Sequence, residues 1–143
     1  MTTKIVGSKI DLKDTEIVVA IEIPKSFIEK EPCFYYEKVG ARKSEAISKL
    51  SFIGTYTLDK DAISTKEVIS DIRIAFGSVG ITALRFNNIE KKLIGKSKEE
   101  IKTVKDEIVD EYMQNIHPID DQRSTAEYRL TICRNLLNDF LGF

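Results

Sequence analysis

The residues best able to do chemistry in this 143-residue chain are few and scattered. His117 is the single histidine. It has neither a second histidine nor a cysteine at metal-ligand spacing, which argues against a zinc centre. A Ser-His-Asp arrangement would have to use it, yet Pro118 follows directly, and the plainer reading is a helix-terminal residue beside a turn. Nothing in the spacing of Cys33 and Cys133 demands a pair, and isolated thiols of this kind are read as reduced and packed. The sequence has no Gly-x-Gly-x-x-Gly and no Gly-x-x-x-x-Gly-Lys-Ser/Thr, so no glycine-rich loop is present to cradle a phosphate. Asp120 and Asp121 are adjacent in a loop, where aspartates belong to turns that lead into helices. Arg123 and Arg129 bracket Asp121 and Glu127 as a set of ion pairs around a helix start, worth little if exposed. The basic cluster Lys38, Arg42, Lys43 lies at a strand end and in the loop after it, a usual place for ligand contacts. Cations there could face a phosphate or an electron-rich ring, or simply form a solvated loop. These patterns assign no catalytic residue and no metal ligand.

The elements that must hold these residues follow from apolar periodicity. Leu50, Phe52, Gly54, Tyr56 and Leu58 alternate with mostly polar neighbours, and after a polar link at 59–64 the pattern resumes as Val68, Ile72, Ile74, Phe76. A period of two across a short link predicts an antiparallel hairpin with one buried face. Two further strands are expected, a β-branched one over Glu16–Ile23 ended by Pro24 and a short aromatic one over Phe34–Lys38. A helix is predicted over 83–94 with Gly95 as its C-terminal cap. Ser97-Lys98-Glu99-Glu100 is a capping box, and the stripe Ile101, Val104, Ile108, Tyr112 behind it predicts a helix to about Ile116. Ser124-Thr125-Ala126-Glu127 is a second box, followed by Leu130, Cys133, Leu137 and Phe140. Strands first and helices afterwards define an α+β fold: an antiparallel sheet of three to four strands covered on one face by three helices.

Bulk properties narrow the function classes. A formal net charge of −1 and a composition of 42% apolar and 31% charged residues suit an ordinary globular protein. They give no electrostatic footprint for nucleic acid or an anionic membrane. No apolar run approaches the ~20 residues of a membrane helix, and the first residues lack the apolar core of a signal peptide. A cytoplasmic location is therefore expected. A strand at 16–23 without a neighbour would offer an edge through which two copies could pair.

Several separated stretches match, in order, one known family. They are Glu16–Pro24, Lys38-Val39-Gly40-Ala41-Arg42-Lys43 with Ile47, Ile74–Val79 followed by Arg85, Glu90, Leu93 and Gly95-Lys96, and Asp121–Arg129. The last is close to Asp-x-Arg-x-Ser-Ala-x-Tyr-Arg. On these stretches the chain resembles the C-terminal domain of the FAD-binding subunit of molybdenum hydroxylases, the xanthine dehydrogenase and carbon monoxide dehydrogenase flavoprotein family. The resemblance implies that residues 1–33 are the tail end of an FAD-binding domain and 34–143 the C-terminal α+β domain. It implies a flavoprotein that relays electrons from iron–sulfur clusters to NAD or another acceptor, alongside an iron–sulfur subunit and a molybdenum subunit. By position, Val18 would sit near FAD on its strand, Lys38 would lie by the isoalloxazine ring, and Arg42 would stand no closer than behind it. The family holds the FAD pyrophosphate with glycine-rich loops of a preceding domain that this sequence lacks. FAD is therefore expected only when that domain is supplied, and the chain reads as a fragment, a split gene product or an isolated domain. The alternative is a non-catalytic module that joins subunits of such a complex.

Overall fold

The computed structural model describes residues 5–6, 9–10, 13–22, 25, 29, 31–42, 46–61, 63 and 66–143. The first two strands, β1 (Ile5–Val6) and β2 (Lys9–Ile10), form a small antiparallel pair of their own. The expected hairpin is β4 (Ser48–Lys60) with β5 (Glu67–Gly77), antiparallel with Phe52 opposite Phe76 and Gly54 opposite Ile74. Strand β3 (Cys33–Gly40) joins one edge and the short β6 (Leu84–Arg85) the other, giving the order β3-β4-β5-β6. Leu50, Phe52, Tyr56, Ile72, Ile74 and Phe76 are buried on one face, as the period of two requires.

One detail of that period differs from the expectation. Ile69, rather than Val68, enters the core, because the register shifts at Thr57/Leu58 and leaves Ser70 as an extra residue on β5. Such a bulge switches which side chains point inward. The bulge is held by a contact of 2.8 Å between the Ser70 and Thr57 hydroxyls.

Three helices cover the apolar face: α1 (Asn87–Glu90), α2 (Lys98–Gln114) and α3 (Ala126–Phe140). The α+β architecture of four antiparallel strands and three helices is the one expected. The box at the start of α2 is complete: the Glu100 amide donates to Ser97 Oγ (3.2 Å) and the Ser97 amide donates to Glu100 Oε2 (2.7 Å). Ile101, Ile108 and Tyr112 of α2 join Cys133, Leu137 and Phe140 of α3 in the core. The Phe140 ring lies 5.7 Å from that of Phe52. It can do so because position 54 is glycine; a Cβ there would stand 2.6 Å from the ring.

Three expectations are corrected. The helix over 83–94 is instead β6, a single turn of α1 and further turns to Gly95, whose φ of +80° stops the chain as a cap does. Leu84 and Arg85 are captured by the free edge of β5, opposite Phe76 and Ala75, and helix starts only after them. Second, residues 16–22 form no strand; position 23 lies outside the described residues. A strand needs a neighbour for its amides and carbonyls, and none of the described strands takes this stretch. Ile17, Val19 and Ile21 are each more than 80% exposed. Third, α3 is capped by Thr125, whose hydroxyl accepts from the Tyr128 amide, and not by Ser124. The Ser124 amide is already taken by Asp121.

The two thiols are free and unlike each other. Cys133 is packed, and burial pushes it up to about 12. Cys33 is exposed at the start of β3, contrary to the expectation that both are packed. His117 is exposed just beyond α2, beside the turn expected for it. No helix among the described residues is long and apolar enough to cross a membrane.

Candidate functional site: a cationic cleft at one end of the sheet

The basic residues gather where β3 ends and β4 begins. Val39 faces Leu50, but Gly40 faces Ser48, so Lys49 is the extra residue of a bulge. Its ammonium is turned onto the Tyr128 ring of α3, 4.9 Å from the ring centre. Beyond the bulge lies a cleft of about 460 Å³. Arg42, Lys49 and Arg123 line it together with Ile47 and Gln122, and among the described residues no carboxylate lines it. A half-enclosed cluster of cations concentrates field and suits an anionic or electron-rich partner.

The turn carrying Arg123 is held by an ion pair between a buried arginine and an exposed aspartate. The Arg129 side chain is only 5% exposed, and its Nη2 donates to Asp121 Oδ1 at 2.7 Å. The same oxygen accepts from the amides of Arg123 (2.8 Å) and Ser124 (3.0 Å). The Arg129 guanidinium, followed by the Arg123 amide, holds the Asp121 carboxyl below the usual carboxylate range. The expected set of weak surface pairs is thus corrected: Arg129 is an internal anchor of the 120–124 turn. Arg123 keeps its backbone in that anchor and its side chain in the cleft.

Residues singled out in the sequence fall in three places. Arg42 enters the cleft with Lys49 and Arg123. Lys38 is exposed on β3, opposite Ser51, and does not line the cleft. The Tyr35 ring packs on Phe52 on the helix side (5.7 Å), so alternation puts Phe34, Tyr36 and Lys38 on the other, open face. Phe34 and Tyr36 stack there at 6.5 Å. Val18 is 60% exposed in the stretch without secondary structure. Lys43 lies outside the described residues. Sequence reasoning missed Lys49, because its placement depends on the bulge; the glycine at position 40 was the available signal. Among the described residues no group of three or more His, Cys, Asp or Glu could hold a metal ion.

Residues 35–142 match the family model of the CO dehydrogenase flavoprotein C-terminal domain. The chain belongs to this family. Solved structures of similar fold include reconstituted CO dehydrogenase from Oligotropha carboxidovorans, at 24% identity and a TM-score of 0.59, with 76% of this chain and 35% of that chain covered. Quinoline 2-oxidoreductase from Pseudomonas putida 86 matches at 14% identity and a TM-score of 0.57, over 76% and 35%. Carbon monoxide dehydrogenase from Hydrogenophaga pseudoflava, in a form lacking the Mo-pyranopterin moiety of its molybdenum cofactor, matches at 25% identity and 0.56, over 76% and 34%. The chain thus spans about a third of the length of these structures. No curated protein matches it.

The family implies FAD, and the described glycines test whether this domain could cradle its pyrophosphate. A Cβ at Gly40, Gly54, Gly77 or Gly80 would stand within 3 Å of Ala46, Phe140, Ser51 or Leu84, respectively. Each of these glycines is spent on internal packing, and Gly95 on its positive φ. None opens onto a cradle that a pyrophosphate could fill.

Proposed function

We propose that this domain supplies one wall of a flavin site whose pyrophosphate is held by a separate FAD-binding domain, within a molybdenum hydroxylase-type oxidoreductase of the xanthine dehydrogenase kind. The observation that carries the reading is the family match over residues 35–142. Bound FAD would supply the redox chemistry, taking electrons from iron–sulfur clusters and passing them to NAD or another acceptor. Lys38, exposed on the open face, would stand beside the ring and favour negative charge on it. Val18 would offer an apolar contact, while Arg42, Lys49 and Arg123 draw in the anionic cofactor at the sheet end. The iron–sulfur and molybdenum subunits would complete the complex. We place its work in the cytoplasm, where the two free thiols would stay reduced.

A second reading, a subunit-joining module without its own part in flavin binding, is favoured by the exposed stack of Phe34 and Tyr36 and by the exposed Ile17, Val19 and Ile21. Lys38→Ala separates the two when the chain is mixed with a polypeptide carrying an FAD-binding domain of the family. The flavin reading expects FAD affinity to fall about tenfold, or the flavin potential to move, as a lost charge contact of about 1.4 kcal/mol implies. If both stay unchanged while assembly still needs the chain, the module reading holds.

A further inference from the structure

A second, smaller cleft lies at the same end of the sheet, between the 78–81 loop and the segment 117–123. Its volume is about 310 Å³, and Arg129 lines it with Arg123, His117, Asp121, Ile81 and Ile119. We propose that this cleft, which shares Arg123 with the larger one, is an oxyanion site of its own, taking a phosphate group or a carboxylate.

The first ground is the bonding of Arg129. A guanidinium has five N–H donors and is costly to bury with any of them idle. Here one bond is short, that to Asp121 at 2.7 Å. The two from Nη1, to the carbonyls of Ser78 and Ile119, are stretched to 3.4 Å, and Nε has no partner among the described residues. The side chain is nevertheless 95% buried, as its exposure of 5% states. The ion pair with Asp121 neutralises its charge but leaves Nε without an acceptor and both Nη1 bonds long.

The second ground is the charge of the rim. Arg123 and Arg129 bring two positive charges and Asp121 one negative, and His117 offers a ring N–H; among the described residues no other charged or histidine side chain lines the cleft. The Asp121 oxygen that faces Arg129 is already shared with the amides of Arg123 and Ser124. The surplus is therefore positive, and planar guanidinium donors match oxyanions in geometry as well as in charge. Ile81 and Ile119, 90% and 72% exposed, flank the opening and would contact the body that carries the anion.

The test is a titration of the full chain followed through the backbone amide NMR signals of Ser78–Ile81 and Ile119–Arg123. The probes are inorganic phosphate and butyrate, each against chloride at constant ionic strength. Saturable shifts in these two segments are expected. Arg123→Ala and His117→Ala, both surface positions, should each weaken binding at least about fivefold, the scale of one charge-assisted bond. Lys49→Ala, which touches only the larger cleft, should leave it within about twofold, the scale of a distant screened charge. Tighter phosphate marks a phosphate site and tighter butyrate a carboxylate site. Shifts no different from chloride, or equal binding in wild type, Arg123→Ala and His117→Ala, would overturn the proposal. Loss of binding in Lys49→Ala alone would assign the anion to the larger cleft and overturn it equally. None of these results depends on whether FAD binds.

Discussion

Glu90→Ala will lower the stability of this domain by about 3 kcal/mol, among the largest effects of any single polar substitution. Glu90 is 3% exposed although it sits in the single turn of α1. Strand β6 ends after pairing Leu84 and Arg85 with Phe76 and Ala75, so the next amide of β5, that of Ile74, has no strand to donate to. It donates to Glu90 Oε1 at 2.7 Å instead. Arg85 completes the arrangement, with Nε 2.9 Å from Oε1 and Nη2 2.8 Å from Oε2. Alanine leaves a buried N–H with no acceptor, and that penalty, rather than the partly exposed ion pair, dominates. Arg85→Ala should cost clearly less, because the arginine is 41% exposed and the Ile74 bond survives. Urea unfolding of both variants checks the order; equal losses would show that the ion pair, not the amide, is what matters.

Arg129→Met should cost about 2–3 kcal/mol at pH 7, through the lost bonds of a buried guanidinium and the loosening of the 120–124 turn. The effect carries a pH signature. The Asp121 carboxyl is depressed in the folded protein, chiefly by Arg129. Its contribution is thus fully present above the unfolded carboxylate value of about 3.9 and fades as pH falls through the folded one. The gap between wild type and Arg129→Met should therefore narrow below about pH 4. Denaturation measured at pH 7 and pH 3 would show it, and a gap that widened in acid would exclude an ionised Asp121 as the partner.

Where local rules acted alone, the sequence was legible. The alternation of Leu50, Phe52 and Tyr56 against Ile72, Ile74 and Phe76 is a hairpin face, and Ser97 with Glu100 is a cap whose two bonds are both formed. What escaped was decided by competition between segments. Leu84, Ile89 and Leu93 have helical spacing, but an open strand edge took the first of them. The second box points to Ser124 as the cap of α3, but Ser124 is tied into the preceding turn through its amide to Asp121, and the Tyr128 amide donates to the Thr125 hydroxyl instead. The β-branched run at 16–22 has strand composition but no neighbour among the described strands. The candidate site depends on a bulge that turns Lys49 toward α3, and bulges leave little trace in periodicity. Arg129 looked like a surface charge because its burial arises from the 78–81 loop and the 119–121 segment closing over it, contacts remote in sequence.

Equilibrium titration with FAD, followed by gel filtration, tests the division of the cofactor between two polypeptide units most directly. The chain alone should elute colourless, and the chain mixed with a family FAD-binding domain should retain the flavin absorbance bands more firmly than that domain by itself. A chain that stays yellow on its own, or a mixture that holds FAD no better than the isolated FAD-binding domain, would contradict the division.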